Sequence, residues 1–317
     1  MSYAGFNVIQ WMLPKNKWTR PGTIITPSGL VIHWTGNIGT GANAKANSNF
    51  FHNRSGSYGS AHYVLDANEI YQVLPENEMG YHVGATKYYT TNFGTYPNKH
   101  LIGLEVCVNS DTDWTKTYDR AVRFAAAILK SRGWTDPKKV LVRHYDVTRK
   151  DCPLMWTPLV NNAAHVRSSV ISMLKKRDGE SATAYEARIQ AGIKWVKSMT
   201  ANGKLGDDGW NQFVADVGSA LKGTYKTGSA SKPPQTIEDK VVYYMGKFFA
   251  DVNDESWKAA GINKLAATKG PDGKPIYAGD VDSKGNKVAR PDDNITRAET
   301  AILISRAIEY AIAESKK

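Results

Sequence analysis

Three short apolar runs, two of them carrying a residue foreign to a hydrocarbon interior and the third ending on one, constrain this chain most. "GLVIHWTG" (29–36), "LIGLEVCV" (101–108) and "KVLVRH" (139–144) read as buried strands. Helical patterns separate or follow them: "NAKANSNFFHNR" (43–54), "TKTYDRAVRFAAAILKSRG" (115–133, closed by Gly133) and "WTPLVNNAAHVRSSVISMLKKR" (156–177, with Pro158 near its start). "SAHYVLDANEIYQVLP" (60–75) reads as two strands around an Asp-Ala-Asn turn. The alternation predicts an α/β domain, a central mixed β-sheet flanked by helices.

The foreign residues are His33, Glu105 and His144. In an open α/β sheet the clefts lie at strand ends, so His33 and His144 can converge although they are far apart in sequence. Cys152, on the loop "VRHYDVTRKDCP" after His144, adds a thiolate. Two imidazoles and one thiolate suit a catalytic zinc site, which keeps its fourth position for water. Packing is the alternative, because cysteine is a common core residue. Glu105 is costly to bury without a partner, so it either pairs with an arginine such as Arg143 or serves as a general base or acid facing the metal. Lys150, two residues before the cysteine, is a solvated loop charge or a cation for a developing oxyanion. Cys107 is read as strand packing, and two cysteines make no disulfide framework.

At 317 residues the chain fits two domains and a connector. Residues 1–177 form the predicted α/β domain. Residues 178–236 carry helical patterns near 183–200 and 209–222 around "ANGKLGDDG", then the linker "TGSASKPPQ". Residues 237–317 read as a small all-α unit. No run of eighteen apolar residues exists, so no membrane insertion is expected. The stretch "MSYAGFNVIQWMLPKNKW" lacks the features of a signal peptide, which implies synthesis in the cytoplasm. The formal charge is +11, and residues 238–317 hold 13 basic and 13 acidic residues, so the whole excess lies before them. Such a basic half suits a polyanionic partner. Nucleic acid is disfavoured, since no aromatic RNP motif, zinc-finger spacing or long basic helix is present.

"RPGTIITPSGLVIHWTGN", "SAHYVLDANEIYQVLPE", "GYHVGA", "LIGLEVCV" and "RHYDVTRKDCP", in this order, resemble the zinc-dependent N-acetylmuramoyl-L-alanine amidases, a family that includes phage endolysins and peptidoglycan recognition proteins. The likeness spans about residues 5–175. It implies zinc (Zn2+) on His33, His144 and Cys152, with peptidoglycan as substrate and Glu105 and Lys150 as catalytic groups. It also implies substrate contacts from His82 and His62. Members that bind wall fragments without cutting them typically lack the cysteine, so Cys152 favours an enzyme over a binding protein. One branch has a catalytic tyrosine where this chain has Ala61; Tyr63 cannot replace it, because two residues along a strand move the hydroxyl about 6–7 Å. His52, His100 and His165 read as surface or core histidines.

"FFADVNDESWKAAGINKLAATKG" followed by "ARPDDNITRAETAILISRAIEYA" resembles an S-layer homology motif, which attaches proteins to secondary polymers of Gram-positive walls. That resemblance implies wall-binding roles for Trp257 and Arg297, although "ITRAE" is also a helix-capping box. Such motifs usually come in threes. A degenerate copy within 183–223, or assembly into a homo-oligomer, would supply the others. Together the two resemblances imply a phage or prophage endolysin acting on the cell wall, with a host autolysin of the same chemistry as the alternative.

Overall fold

The computed structural model describes residues 3, 5–200 and 202–226, together with the backbone of Asp280–Val281 and Lys287–Val288. The chain divides into two compact units, Met1–Ala230 and Ser231–Lys317.

The first unit is built on a six-stranded mixed sheet of order β1-β4-β3-β5-β2-β6. Its strands are β1 (Val8–Gln10), β2 (Gly29–Trp34), β3 (Tyr63–Leu65), β4 (Ile70–Gln72), β5 (Leu101–Val106) and β6 (Leu141–Arg143). Only β3 and β4 pair antiparallel; every other neighbour is parallel. The helices are α1 (Ala44–His52), α2 (Trp114–Ser131), α3 (Pro137–Val140), α4 (His144–Thr148), α5 (Ala163–Met173), α6 (Ala182–Ser198) and α7 (Gly206–Leu221).

Side chains alternate across a sheet, and the two faces here have different work. Leu30, Ile32 and Trp34 of β2, with Ile102, Leu104 and Val106 of β5, join a large core with residues of α2, α5, α6 and α7. Helix α2 starts on Asp113, whose side chain accepts from Lys116 N, and buries Tyr118, Ala121, Val122, Ala125, Ile128 and Leu129 at helical spacing. On the other face of β5, Leu101 joins one small cluster with Val31 and Val83, whereas Cys107 joins a second with Val64 and Val73. Gly103 and Glu105 fall between them in sequence, so the face that carries them is only partly filled with apolar side chains. This is where the cleft opens.

The domain boundary expected at residue 177 is corrected. Helices α6 and α7 pack into the large core through Ile189, Val196, Trp210, Phe213 and Val217. Trp156 lies 4.6 Å from the Phe213 ring, and Tyr118 Oη donates to Asp216 Oδ2 at 2.8 Å. The 178–226 segment is therefore part of the first unit. Trp257 and Arg297 lie outside the described residues. The second unit, expected to be all-α, contains an antiparallel pair, β7 (Asp280–Val281) and β8 (Lys287–Val288).

Candidate metal centre and active site

His33 is the fifth residue of β2, and its register partner on β5 is Glu105. Parallel strands in register point facing residues to the same side, so sheet formation alone sets these two side by side. His144 opens α4 directly after β6, which pairs with β2 on its other edge. Arg143 fixes that junction. Its backbone N–H donates to Asp146 Oδ2 at 2.9 Å, while its guanidinium binds Asp146 and reaches Asp207 Oδ1 of α7 at 2.7 Å. Arg143 is thus not the partner of Glu105. The loop then returns Cys152 to the strand end, where Trp34 N lies 3.5 Å from its Sγ.

His33, His144 and Cys152 are all buried, and one ligand atom from each lies within 4.8 Å of the others. Cys152 Sγ is 3.6 Å from His33 Nδ1. A tetrahedral zinc site holds nitrogen at about 2.0–2.1 Å and sulfur at about 2.3 Å, which separates ligand atoms by about 3.3–3.8 Å. The side chains also show what they lack. Both ring nitrogens of His144 are buried with no hydrogen-bond partner among the described residues. Orphaned buried nitrogens are costly unless something unseen satisfies them. Burial, followed by the neighbouring His144 and His82, holds the His33 pKa well below its ordinary value. Burial and then Lys150 take His144 down to about 3. Both imidazoles are therefore neutral and able to donate lone pairs. Burial and the Glu105 charge push the Cys152 thiol up, so a cation is needed to favour its thiolate. The residues fit a zinc ion.

Glu105 is partly exposed to the cleft, yet its Oε2 is shielded and has no hydrogen-bond partner among the described residues. Burial raises its pKa to about 8, against a smaller lowering by Lys150. Lys150 is exposed at the cleft mouth. The cleft has a volume of about 620 Å³, and its lining includes His33, His144, Cys152, Glu105 and Lys150.

Residues 24–154 match the model of the N-acetylmuramoyl-L-alanine amidase family. A probable N-acetylmuramoyl-L-alanine amidase of Bacillus licheniformis is 30% identical over 203 residues, covering 62% of this chain and 56% of that protein. The endolysin PlyTW of Staphylococcus phage Twort is 27% identical over 131 residues, covering 40% of this chain and 26% of that protein. A solved structure of a mutant endolysin from Bacillus subtilis is 32% identical, with a TM-score of 0.42, and the match covers 47% of this chain and 90% of that one. The chain spans about half the length or less of the curated relatives it matches.

Two histidines of this segment take places other than those expected. His62 is fully buried and does not line the cleft. Its Nε2 faces the Glu78 carbonyl at 2.9 Å, and its Nδ1 accepts from Gly103 N at 2.9 Å. With both nitrogens engaged by backbone, it ties β3 to β5 and has nothing left for substrate. His82 does line the cleft, but it too spends both nitrogens inside the protein: Nδ1 on His33 Nε2 at 3.3 Å and Nε2 on the Leu101 carbonyl at 3.2 Å. Tyr63 is buried, with its hydroxyl donating to Glu76 Oε1 at 2.8 Å, and takes no part in the cleft. His165 pairs with Asp151 beside the ligand loop.

The cleft rim contains residues that sequence reasoning missed. The Tyr58 ring stands 4.9 Å from Tyr81 and 5.2 Å from Trp18, and it is 59% exposed. The loop carrying it is shaped around Arg54, which donates to the carbonyls of Ser57 and Tyr58 at 3.2 and 3.1 Å. A Cβ at Gly59 would stand 2.6 Å from Arg54 Nε, so a side chain there would displace the guanidinium that shapes the loop. The available signal was the spacing "RSGSYGS": two glycines around an exposed tyrosine.

Proposed function

We propose that the protein is a peptidoglycan hydrolase cleaving the amide bond between the lactyl group of N-acetylmuramic acid and the L-alanine of the stem peptide. The observation that carries this reading is the buried convergence of two neutral imidazoles and a thiol, with both His144 nitrogens unpaired among the described residues, at the floor of an open cleft. His33, His144 and Cys152 would hold a zinc ion, which when bound would supply a Lewis acid for the scissile carbonyl and lower the pKa of water at neutral pH. Glu105 lines the cleft with Oε2 unpartnered among the described residues; in its ionised form it takes a proton from the attacking water and returns it to the leaving amine. Lys150 offers its cation to the oxygen that becomes negative as the carbonyl is attacked. The exposed Tyr58 face gives the polymer an apolar surface beside the reacting bond.

The test is digestion of purified Gram-positive peptidoglycan by the zinc-loaded protein, followed by identification of the new ends. Free L-alanine amino termini without new reducing sugars support the reading. New reducing ends overturn the assignment of the bond, and no new ends from folded, zinc-bound protein point instead to a binding protein.

We further read the chain as a phage or prophage lysin, made in the cytoplasm and reaching the wall through a separate membrane lesion. The likeness to the Twort endolysin and the basic first 237 residues facing an anionic wall support this. Wall attachment through Trp257 and Arg297 belongs to the same reading. Appearance of the protein in the medium of intact expressing cells, without any membrane lesion, would favour a host autolysin.

A further inference from the structure

His82 has a use that the reaction above does not assign. A carbonyl oxygen only accepts hydrogen bonds, so the 3.2 Å contact between His82 Nε2 and Leu101 O places the His82 proton on Nε2. In the neutral ring Nδ1 is then a lone pair and can only accept. Its 3.3 Å contact is with His33 Nε2, which must therefore carry the proton that it donates. That leaves the lone pair of His33 on Nδ1, the atom 3.6 Å from Cys152 Sγ. One backbone carbonyl, acting through two imidazoles, thus decides which nitrogen of His33 is offered beside the thiol.

We propose that His82 is a positioning residue that holds His33 in the Nε2–H tautomer, so that Nδ1 is the atom presented for metal binding. The inference rests on the metal-centre reading above.

The surroundings of His82 fit this use. Asn98 Oδ1 accepts from the backbone N–H groups of His82 and Val83 at 3.1 and 3.0 Å, anchoring the segment that carries the ring. The ring lies against Gly103, where a Cβ would stand 2.9 Å from His82 Cγ. Gly103 N is itself bonded to His62 Nδ1. His62 therefore fixes the strand position that gives His82 its space. Without His82, His33 Nε2–H would lose its acceptor in a buried site, and the alternative tautomer could donate from Nδ1 to the cysteine sulfur. That tautomer removes the lone pair the metal needs. Hydrogen bonds from ligand histidines of this kind typically affect metal affinity by about 10–100-fold.

Two variants separate the relay from simple packing. His82→Phe fills the space but cannot accept from His33. His82→Gln can accept through its Oε1 and donate to Leu101 O through its amide. The first readout is the long-range 1H–15N spectrum of the histidine rings in metal-free protein, which identifies the protonated nitrogen without any turnover. The second is zinc affinity by competition with a chelator. The proposal expects His33 protonated on Nε2 in the wild type and a mixture or the Nδ1–H form in His82→Phe. It also expects a loss of about 10–100-fold in zinc affinity in His82→Phe, largely restored in His82→Gln. His33 protonated on Nδ1 in the wild type would overturn it. So would a cooperatively folded His82→Phe protein with wild-type zinc affinity. If wild-type protein binds no zinc, the metal-centre reading itself fails, an outcome distinct from both of these.

Discussion

At the scale of single residues, the site was legible wherever a polar group interrupted an apolar run. His33, Glu105 and His144 stand out because burial without a partner costs several kcal/mol, so a chain that keeps them there has something for them to meet. His62 and His82 carried no such mark, since their partners are backbone groups brought in by strand pairing and by the absence of a side chain at Gly103. Glu105 makes two predictions. Glu105→Gln should lower kcat by about 10²–10⁴-fold while zinc content, measured by atomic absorption, stays stoichiometric. In metal-free protein the same substitution should change how stability depends on pH. The folded pKa of about 8 lies above the ordinary 4.5, so the folded state holds the proton more tightly. Its contribution is complete below about pH 4.5 and is lost as pH rises through 8. Urea unfolding at pH 5, 7 and 9 should therefore show the wild type losing stability relative to Glu105→Gln across that window. Parallel profiles would mean that Glu105 is already ionised at pH 5.

The strands and helices show where local pattern is enough and where it is not. The apolar runs gave β2, β5 and β6 because parallel neighbours bury both faces of such strands. They did not give register, yet register is what sets Glu105 beside His33 and Gly103 beneath the His82 ring. β5 thus has a strict requirement at a residue that sequence alone marks only as small. Gly103→Ala should destabilise the protein by about 1–3 kcal/mol, because the buried His82 ring must give way. It should also weaken zinc binding by displacing His82. Gly84 is the matched control: it lines the same cleft, but a Cβ there meets nothing within 4 Å. Gly84→Ala should leave unfolding free energy and zinc affinity unchanged. Equal behaviour of the two variants would show that the sheet accommodates the extra methyl group at Gly103.

For the molecule as a whole, the misplaced boundary has a physical cause. "ANGKLGDDG" is locally a turn, and nothing within it announces that Asp207 will meet Arg143, next to His144, or that Asp216 will meet Tyr118. The amidase-family match ends at residue 154, but the aromatic cluster of Tyr118, Trp156, Trp210 and Phe213 is completed only by α7. A chain cut after residue 177 should therefore lose cooperative unfolding and near-UV circular dichroism, whereas one cut after residue 226 should keep both and still bind zinc. Charge supplies the last prediction at this scale. In the proposed reading the positive excess before residue 238 acts on an anionic wall at distances that salt screens, with a Debye length of about 8 Å near physiological ionic strength and about 3 Å at 1 M. Chemistry at the buried ligands is screened far less. Raising sodium chloride from 0.05 to about 0.5 M should slow solubilisation of intact walls much more than hydrolysis of a small, uncharged muramoyl amide. Equal slowing of both would place the salt effect in the active site and remove the basic half from wall engagement.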